Sequence, residues 1–139
     1  VVATNTGNGG PVAYKGEWMH PGQHVVSIGS TTPHLREIDP DAFKRADVIV
    51  FDADFDQVLE ESGDVAALHS TGAGCVQPTS LDEMLDPTTS LRPASESVTL
   101  FKSVGTALQD LSGALTVYRR ALECGAGTKV DDLADLKTF

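Results

Sequence analysis

Apolar residues along the chain fall into two periods. Val1 to Thr4 (VVAT), His24 to Ser30 (HVVSIGS) and Ala46 to Ala53 (ADVIVFDA) are short, nearly continuous apolar runs bounded by turn-forming residues, and they predict strands. The Val-Ile-Val-Phe run of the third predicts burial on both faces, as in a parallel sheet. Asn5 to Pro11 is turn-rich and ends the first strand, while Pro21-Gly22 turns the chain into the second.

Helical spacing fills the intervals. Asp39 is placed to cap a short helix, Asp41 to Arg45, with Pro40 at its first position. FDQVLEESGD, from Phe55, predicts a short amphipathic helix ended by Gly63, and Val65 to His69 predicts another. Ser80 and Glu83 have the spacing of a capping box. Thr71 to Val76 reads as a loop, and the Pro/Ser/Thr-rich Thr88 to Glu96 as a surface crossing. VTLFKS, Val98 to Ser103, reads as an extended or irregular piece leading into the strongest helix. There Val104, Ala107, Leu108, Leu111, Leu115, Tyr118 and Leu122 recur at helical spacing, Ser103 is the expected cap and Gly125 the expected end. The apolar face of that helix is assigned to the core. Strands joined by helical connections make a parallel α/β sheet the expected class.

Composition narrows the function classes. With 139 residues, 40% of them hydrophobic and 22% charged, the chain has the size of one soluble domain. Twenty acidic against ten basic residues give a net charge of −10, which excludes nucleic acid as a principal partner yet allows local anion sites at helix N-termini. Cys75 and Cys124 stand far apart, so no zinc site or disulfide framework is expected and a reducing cytoplasm is the default compartment. His20, His24, His34 and His69 lack metal-ligand spacing; His20 and His24 straddle Pro21-Gly22 and do not share a helix face. No apolar window reaches the roughly 18 residues of a membrane span, and VVATNTGNGG lacks the basic flank of a signal peptide, so no membrane partner is expected.

A dinucleotide fingerprint is missing. Gly7-Asn8-Gly9-Gly10 follows a strand but precedes Pro11-Val12 and a further extended segment, so it reads as a surface loop rather than a helix-opening phosphate turn.

Two longer stretches carry a resemblance. SIGSTTPHLREIDP, Ser27 to Pro40, and LFKSVGTALQDLSGALTVYRRALECGAGTKV, Leu100 to Val130, resemble the C-terminal part of the ornithine cyclodeaminase and mu-crystallin family. Lys15-Gly16-Glu17-Trp18, Pro21-Gly22-Gln23-His24 and Leu59 to Asp64 fit the same pattern between and beside them. The resemblance implies a partial Rossmann-like parallel sheet with flanking helices and a long C-terminal helix. It also implies that residues 1–139 are the later part of an NAD(P)-binding domain. The glycine fingerprint, the substrate and dimerisation domain, and the Lys and Arg that grip the substrate carboxylate would then lie upstream. A short natural protein is the alternative.

The site residues follow from the same resemblance. Thr4 matches a strand-end position near the dinucleotide, and Val25, Val26, Ser27 and Gly29 match the next strand end, so these and Ser103 are the expected cofactor contacts. Val104 and Gly105 match the part of a Ser-Val-Gly entrance that faces substrate. Thr31 stands where cyclodeaminases carry an Asp that moves protons, a task for which threonine has no accessible pKa. The implied function is NAD(P)H-dependent reduction of a cyclic imino acid or ketimine, or the related amino-acid dehydrogenase direction, by a homodimeric full-length protein. The chain by itself is expected to be inactive. Ornithine cyclodeamination and a non-catalytic, crystallin-like binding role are the alternatives, as is a fragment that only associates with a partner. Plainer readings make Arg36 and Glu37 a solvated ion pair, Ser103 only a helix cap, Thr31 a turn residue and Lys102 a solvent-facing side chain.

Overall fold

The computed structural model describes residues 1–4, 10–72, 78–88 and 94–130, with only the main chain of Asp82. The loops expected at Asn5 to Pro11, Thr71 to Val76 and Thr88 to Glu96 fall largely outside these residues.

Short apolar runs build one sheet. Strands β1 (Val2–Thr4), β2 (His24–Ser27), β3 (Val48–Phe51), β4 (Thr79–Ser80) and β5 (Thr99–Lys102) lie in the order β1-β2-β5-β3-β4, and every pairing is parallel. Helices α1 (Pro40–Arg45), α2 (Phe55–Glu61), α3 (Gly63–Ser70) and α4 (Leu81–Leu85) and a 3-10 turn at Gly16–Trp18 connect the strands, and α5 (Ala107–Cys124) follows β5. The parallel α/β class read from the hydrophobic pattern is what forms.

Register sorts the sheet into rows. Val2, Val25, Leu100 and Ile49 are neighbours across four strands, and two residues further along the same face the row is Thr4, Ser27, Lys102 and Phe51. The first row joins Phe43 of α1, Val58 of α2 and Val65 and Leu68 of α3 in the core. Full burial of such side chains contributes about 1.5–3 kcal/mol each. The second row is polar in three of its four members and lies at the carboxyl ends of the strands.

Caps place the helices as their residue types dictate. Asp39 Oδ1 accepts the Ala42 N–H at 3.0 Å and the Gly16 N–H at 2.9 Å, so one carboxylate starts α1 and fastens the 3-10 turn beside it. Both arms of the Ser80–Glu83 capping box are formed. Gly125 ends α5 with φ +63°.

Several expectations need correction. Of the two alternatives for VTLFKS the extended one forms: its Thr99–Lys102 is β5, hydrogen-bonded between β2 and β3 as a fully internal strand. Thr79–Ser80 adds an unpredicted edge strand. The second strand stops at Ser27, leaving Ile28 41% exposed, because the Gly29 N–H donates to the Glu37 carboxylate instead of continuing a ladder. Ser103 does not cap the long helix, which begins at Ala107. The stripe Leu108, Leu111, Leu115, Tyr118 and Leu122 is exposed rather than core. Helical periodicity specifies one apolar face but not that its partner belongs to the same stretch of chain. Residues 1–106 and 107–139 form two compact units, of which α5 opens the second. No helix of the described residues is long and apolar enough to cross a membrane.

Gly63 does not terminate α2. Ser62 does, and its hydroxyl accepts the Val65 N–H to start α3 with Gly63 as its first residue. A Cβ on Gly63 would collide with the carbonyl oxygens of Leu35 and Pro33, so the bare backbone lets α3 press against the turn that follows β2. Gly63→Ala is therefore expected to lower stability by about 1–3 kcal/mol through overpacking, read by urea unfolding of the chain with Trp18 fluorescence as the probe. A change below about 0.5 kcal/mol would show that the turn is free to move aside.

Candidate functional site

At the carboxyl ends of β1, β2 and β5 the polar row meets two acidic side chains from outside the sheet. Thr4, Ser27, Glu37, Asp64 and Lys102 are all buried, with Ser27, Glu37, Asp64 and Lys102 at 0% exposure. Glu37 Oε2 accepts the Thr4 hydroxyl at 3.1 Å, the Ser27 hydroxyl at 2.8 Å and the Gly29 N–H at 2.7 Å. Asp64, early in α3, accepts the main-chain N–H groups of Glu37 and Ile38 on Oδ1 at 2.8 and 3.2 Å. Its Oδ2 lies 3.7 Å from Lys102 Nζ, which also donates to Ser27 Oγ at 3.3 Å.

Removal from water sets the electrostatics. Desolvation pushes the Asp64 carboxyl above its usual range, against the pull of the Glu37 and Ile38 N–H groups and the Lys102 charge. It pushes the Lys102 ammonium below its usual value, against the attraction of Asp64, Glu37 and Asp52. The pair is close enough to hold together, and its burial still opposes ionisation of both members.

A second carboxylate organises the exit of β5. Asp52, immediately after β3, accepts the Ser103 hydroxyl at 2.6 Å and the Val104 and Gly105 N–H groups at 3.0 Å each. Consecutive main-chain donors wrapped around an acceptor form an anion cradle. Gly105 supplies the positive φ, +82°, that this turn requires.

These contacts redistribute the expected site residues. Thr4, Ser27 and Gly29 come together on Glu37, and Ser103, Val104 and Gly105 come together on Asp52. The hydroxyls of Thr4 and Ser27 are directed into the protein. Val25 is a core side chain, Val26 lies half-buried on the opposite face, and Val104 is also part of the core. Thr31 is exposed on the turn beyond Gly29. Among the described residues no group of three or more His, Cys, Asp or Glu is arranged to hold a metal ion.

The plain readings of three charged residues are overturned. Arg36 and Glu37 are not a solvated pair: Glu37 is fully buried, and the Arg36 Nε is buried without a hydrogen-bond partner among the described residues. Lys102 does not face solvent. Sequence reasoning missed Glu37, Asp52, Asp64 and Lys102 as a set because their spacing, from 12 to 38 positions, carries no local period. A usable signal is Lys102 itself, a charge at the end of the apolar run VTLF.

The chain has relatives in both sequence and structure. The model of the ornithine cyclodeaminase/mu-crystallin family matches residues 1–125. Ketimine reductase mu-crystallin of Rattus norvegicus is 34% identical over 119 residues, covering 85% of this chain and 34% of that protein. The solved structure of Thermococcus litoralis Delta(1)-pyrroline-2-carboxylate reductase in complex with NADH and L-proline is 33% identical with a TM-score of 0.73, over 86% of this chain and 37% of that one. An archaeal alanine dehydrogenase dimer with bound NAD is 30% identical with a TM-score of 0.75, over 93% of this chain and 40% of that one. The chain thus spans about two-fifths or less of the length of these relatives.

The buried ion pair generates a stability prediction. Asp64→Asn or Lys102→Met alone should each cost about 3 kcal/mol or more, and the double variant less than the sum, because each single change leaves its partner buried and unmatched. Additive losses in a urea-unfolding cycle would contradict the pairing. The pH dependence has a definite sign. A depressed lysine binds its proton more weakly folded than unfolded, so Lys102 contributes stability that grows as pH rises from the folded value toward the usual 10.5. Lys102→Met should flatten that alkaline limb. Asp64, raised from the usual 3.8, contributes in the opposite sense: its stability is fully present below that value and is lost as pH rises through the folded one.

Proposed function

From the premise that the chain belongs to the ornithine cyclodeaminase/mu-crystallin family, we propose that it is the C-terminal part of an NAD(P)H-dependent reductase of cyclic imino acids or ketimines. In this reading residues 1–139 comprise the later half of the coenzyme-binding sheet and the helices after it. Supporting it are relatives named for the reduction of a ketimine or of Delta(1)-pyrroline-2-carboxylate and a solved neighbour in complex with NADH and L-proline. The alanine dehydrogenase neighbour supports the amino-acid dehydrogenase direction of the same chemistry and a homodimeric full-length protein. A reducing cytoplasm is the proposed setting.

One observation carries the reading: three adjacent parallel strands, β1, β2 and β5, end together on a ledge whose turns are fixed from beneath by carboxylates. Ligands of open parallel sheets lie beyond the carboxyl ends of the strands. The residues present fit one wall of a nicotinamide pocket. Gly29 and Gly105 allow close approach of main chain, Ile28 offers an exposed apolar side chain, and Thr31 stands on the adjoining turn. A nicotinamide coenzyme supplies the hydride in such a pocket. The chain's own part is to hold the turns rigid and exclude water beneath them, since hydride transfer needs alignment more than acid–base groups.

Thr31 weighs against cyclodeamination. Its hydroxyl does not titrate near neutrality, so it is unfit to shuttle the protons that ammonia loss and ring closure need. A non-catalytic, crystallin-like binding role is the reading that remains if coenzyme binds without turnover.

The full-length protein is expected to oxidise NADH or NADPH in the presence of pyrroline-2-carboxylate or piperideine-2-carboxylate, followed by absorbance. The 139-residue chain alone is expected to show no turnover. Release of ammonia and proline from ornithine by the full-length protein would overturn the reductase reading. Enzyme-like reduction by the isolated chain would overturn the fragment reading.

A further inference from the structure

The contacts that shape the exit of β2 converge on one atom. Glu37 Oε2 receives donors from the end of β1 (Thr4), the end of β2 (Ser27) and the first bend beyond β2 (Gly29). Glu37 is itself held through its main chain. Its N–H donates to Asp64 at 2.8 Å, and its carbonyl accepts the Tyr14 N–H at 2.9 Å. Asp64 belongs to α3, whose Val65 and Leu68 lie in the core, so the carboxylate is positioned by the core and not by the turn it holds. Lys102 donates into Ser27 Oγ, which orders that hydroxyl and leaves its proton for Glu37.

For stability alone, an apolar replacement of a buried ion set often serves as well. What only a carboxylate supplies here is an acceptor shared by three segments, with the short, directional geometry of charge-assisted hydrogen bonds. Gly29 is also the residue from which the chain runs out to the exposed Thr31.

We propose that Glu37 is a positioning residue for the reaction: through Oε2 it sets the direction in which Ile28–Thr31 leaves the sheet, and so the wall against which the coenzyme rests, without touching coenzyme or substrate. This rests on the nicotinamide-enzyme reading above.

The test uses the full-length protein in four forms: unaltered, Glu37→Gln, Glu37→Asp and Val58→Ala. Val58 is a fully buried core residue of α2 whose side chain makes no hydrogen bond to the ledge, and its truncation is expected to lower Tm through lost packing. NADH and NADPH are titrated by fluorescence on folded protein well below each Tm, and kcat and KM are measured with a cyclic imine. Glu37→Gln keeps one oxygen for the three donors but removes the charge that strengthens those bonds and turns the other oxygen into an NH2 donor, and it is expected to weaken coenzyme binding about tenfold, about 1.4 kcal/mol, with a fall in kcat. Glu37→Asp keeps the charge with shorter reach and is expected to fall between. Val58→Ala is expected to lose Tm while its Kd stays within about twofold, a difference below 0.5 kcal/mol. A Glu37→Gln protein whose Kd and kcat stay within threefold of the unaltered form, with only Tm reduced, would overturn the proposal. If Glu37→Gln does not fold, the same threefold threshold applied to Glu37→Asp decides. An unaltered protein that binds neither coenzyme would instead overturn the nicotinamide-enzyme reading, so the two failures are distinguishable.

Discussion

Three charged side chains held out of water at the carboxyl ends of β2 and β5 form the constraint on which the rest of the site depends. Glu37, Asp64 and Lys102 have no access to solvent, and each is tolerable only because the others and a set of hydroxyl and N–H donors surround it. The requirement ties together parts of the chain that hydrophobic contact alone would leave loosely related: the ends of two strands, the segment before α1, and the start of α3. Apolar packing decides that this face of the sheet is covered. The ion network decides where the β2 exit points.

Asp52 repeats the device one strand along. Its two oxygens collect Ser103, Val104 and Gly105, so the exit of β5 is held by a carboxylate just past β3, as the exit of β2 is held by Glu37. Donors that the family resemblance would assign to ligands are thus engaged internally, and what the ledge offers outward is main chain, Ile28 and the Thr31 turn. Under the proposed nicotinamide-enzyme reading, such a surface would meet the coenzyme by shape and close approach more than by hydrogen bonds.

Much of the fold was legible because it rests on local rules. Val48 to Phe51 read as a strand buried on both faces, Asp39-Pro40 as a helix start and Ser80–Glu83 as a capping box, and each of these forms. The internal strand β5 was legible only as an extended or irregular piece, because Thr99 and Lys102 interrupt its apolar pattern and their burial is made acceptable by residues dozens of positions away. Glu37 was misread for the same reason: beside Arg36 it looks like a surface pair, and only the register of three strands shows that it fills a polar hole. The helix α5 has the amphipathic pattern expected of it, yet the face written in that pattern is exposed, since periodicity specifies a face and not its partner. Thr4, Ser27 and Gly29 gather on Glu37, and Ser103, Val104 and Gly105 on Asp52, while the carboxylates that organise them carry no motif.

Hydrogen exchange in the full-length protein with and without NADH tests the coenzyme wall most directly. Amides of Ile28 to Thr31 and Gly105 to Thr106 are expected to exchange more slowly when the coenzyme is present, while those inside α3, beneath the ledge, stay unchanged. Protection appearing elsewhere, with these two turns unaffected by bound NADH, would contradict the claim that the carboxyl ends of β2 and β5 form the coenzyme wall.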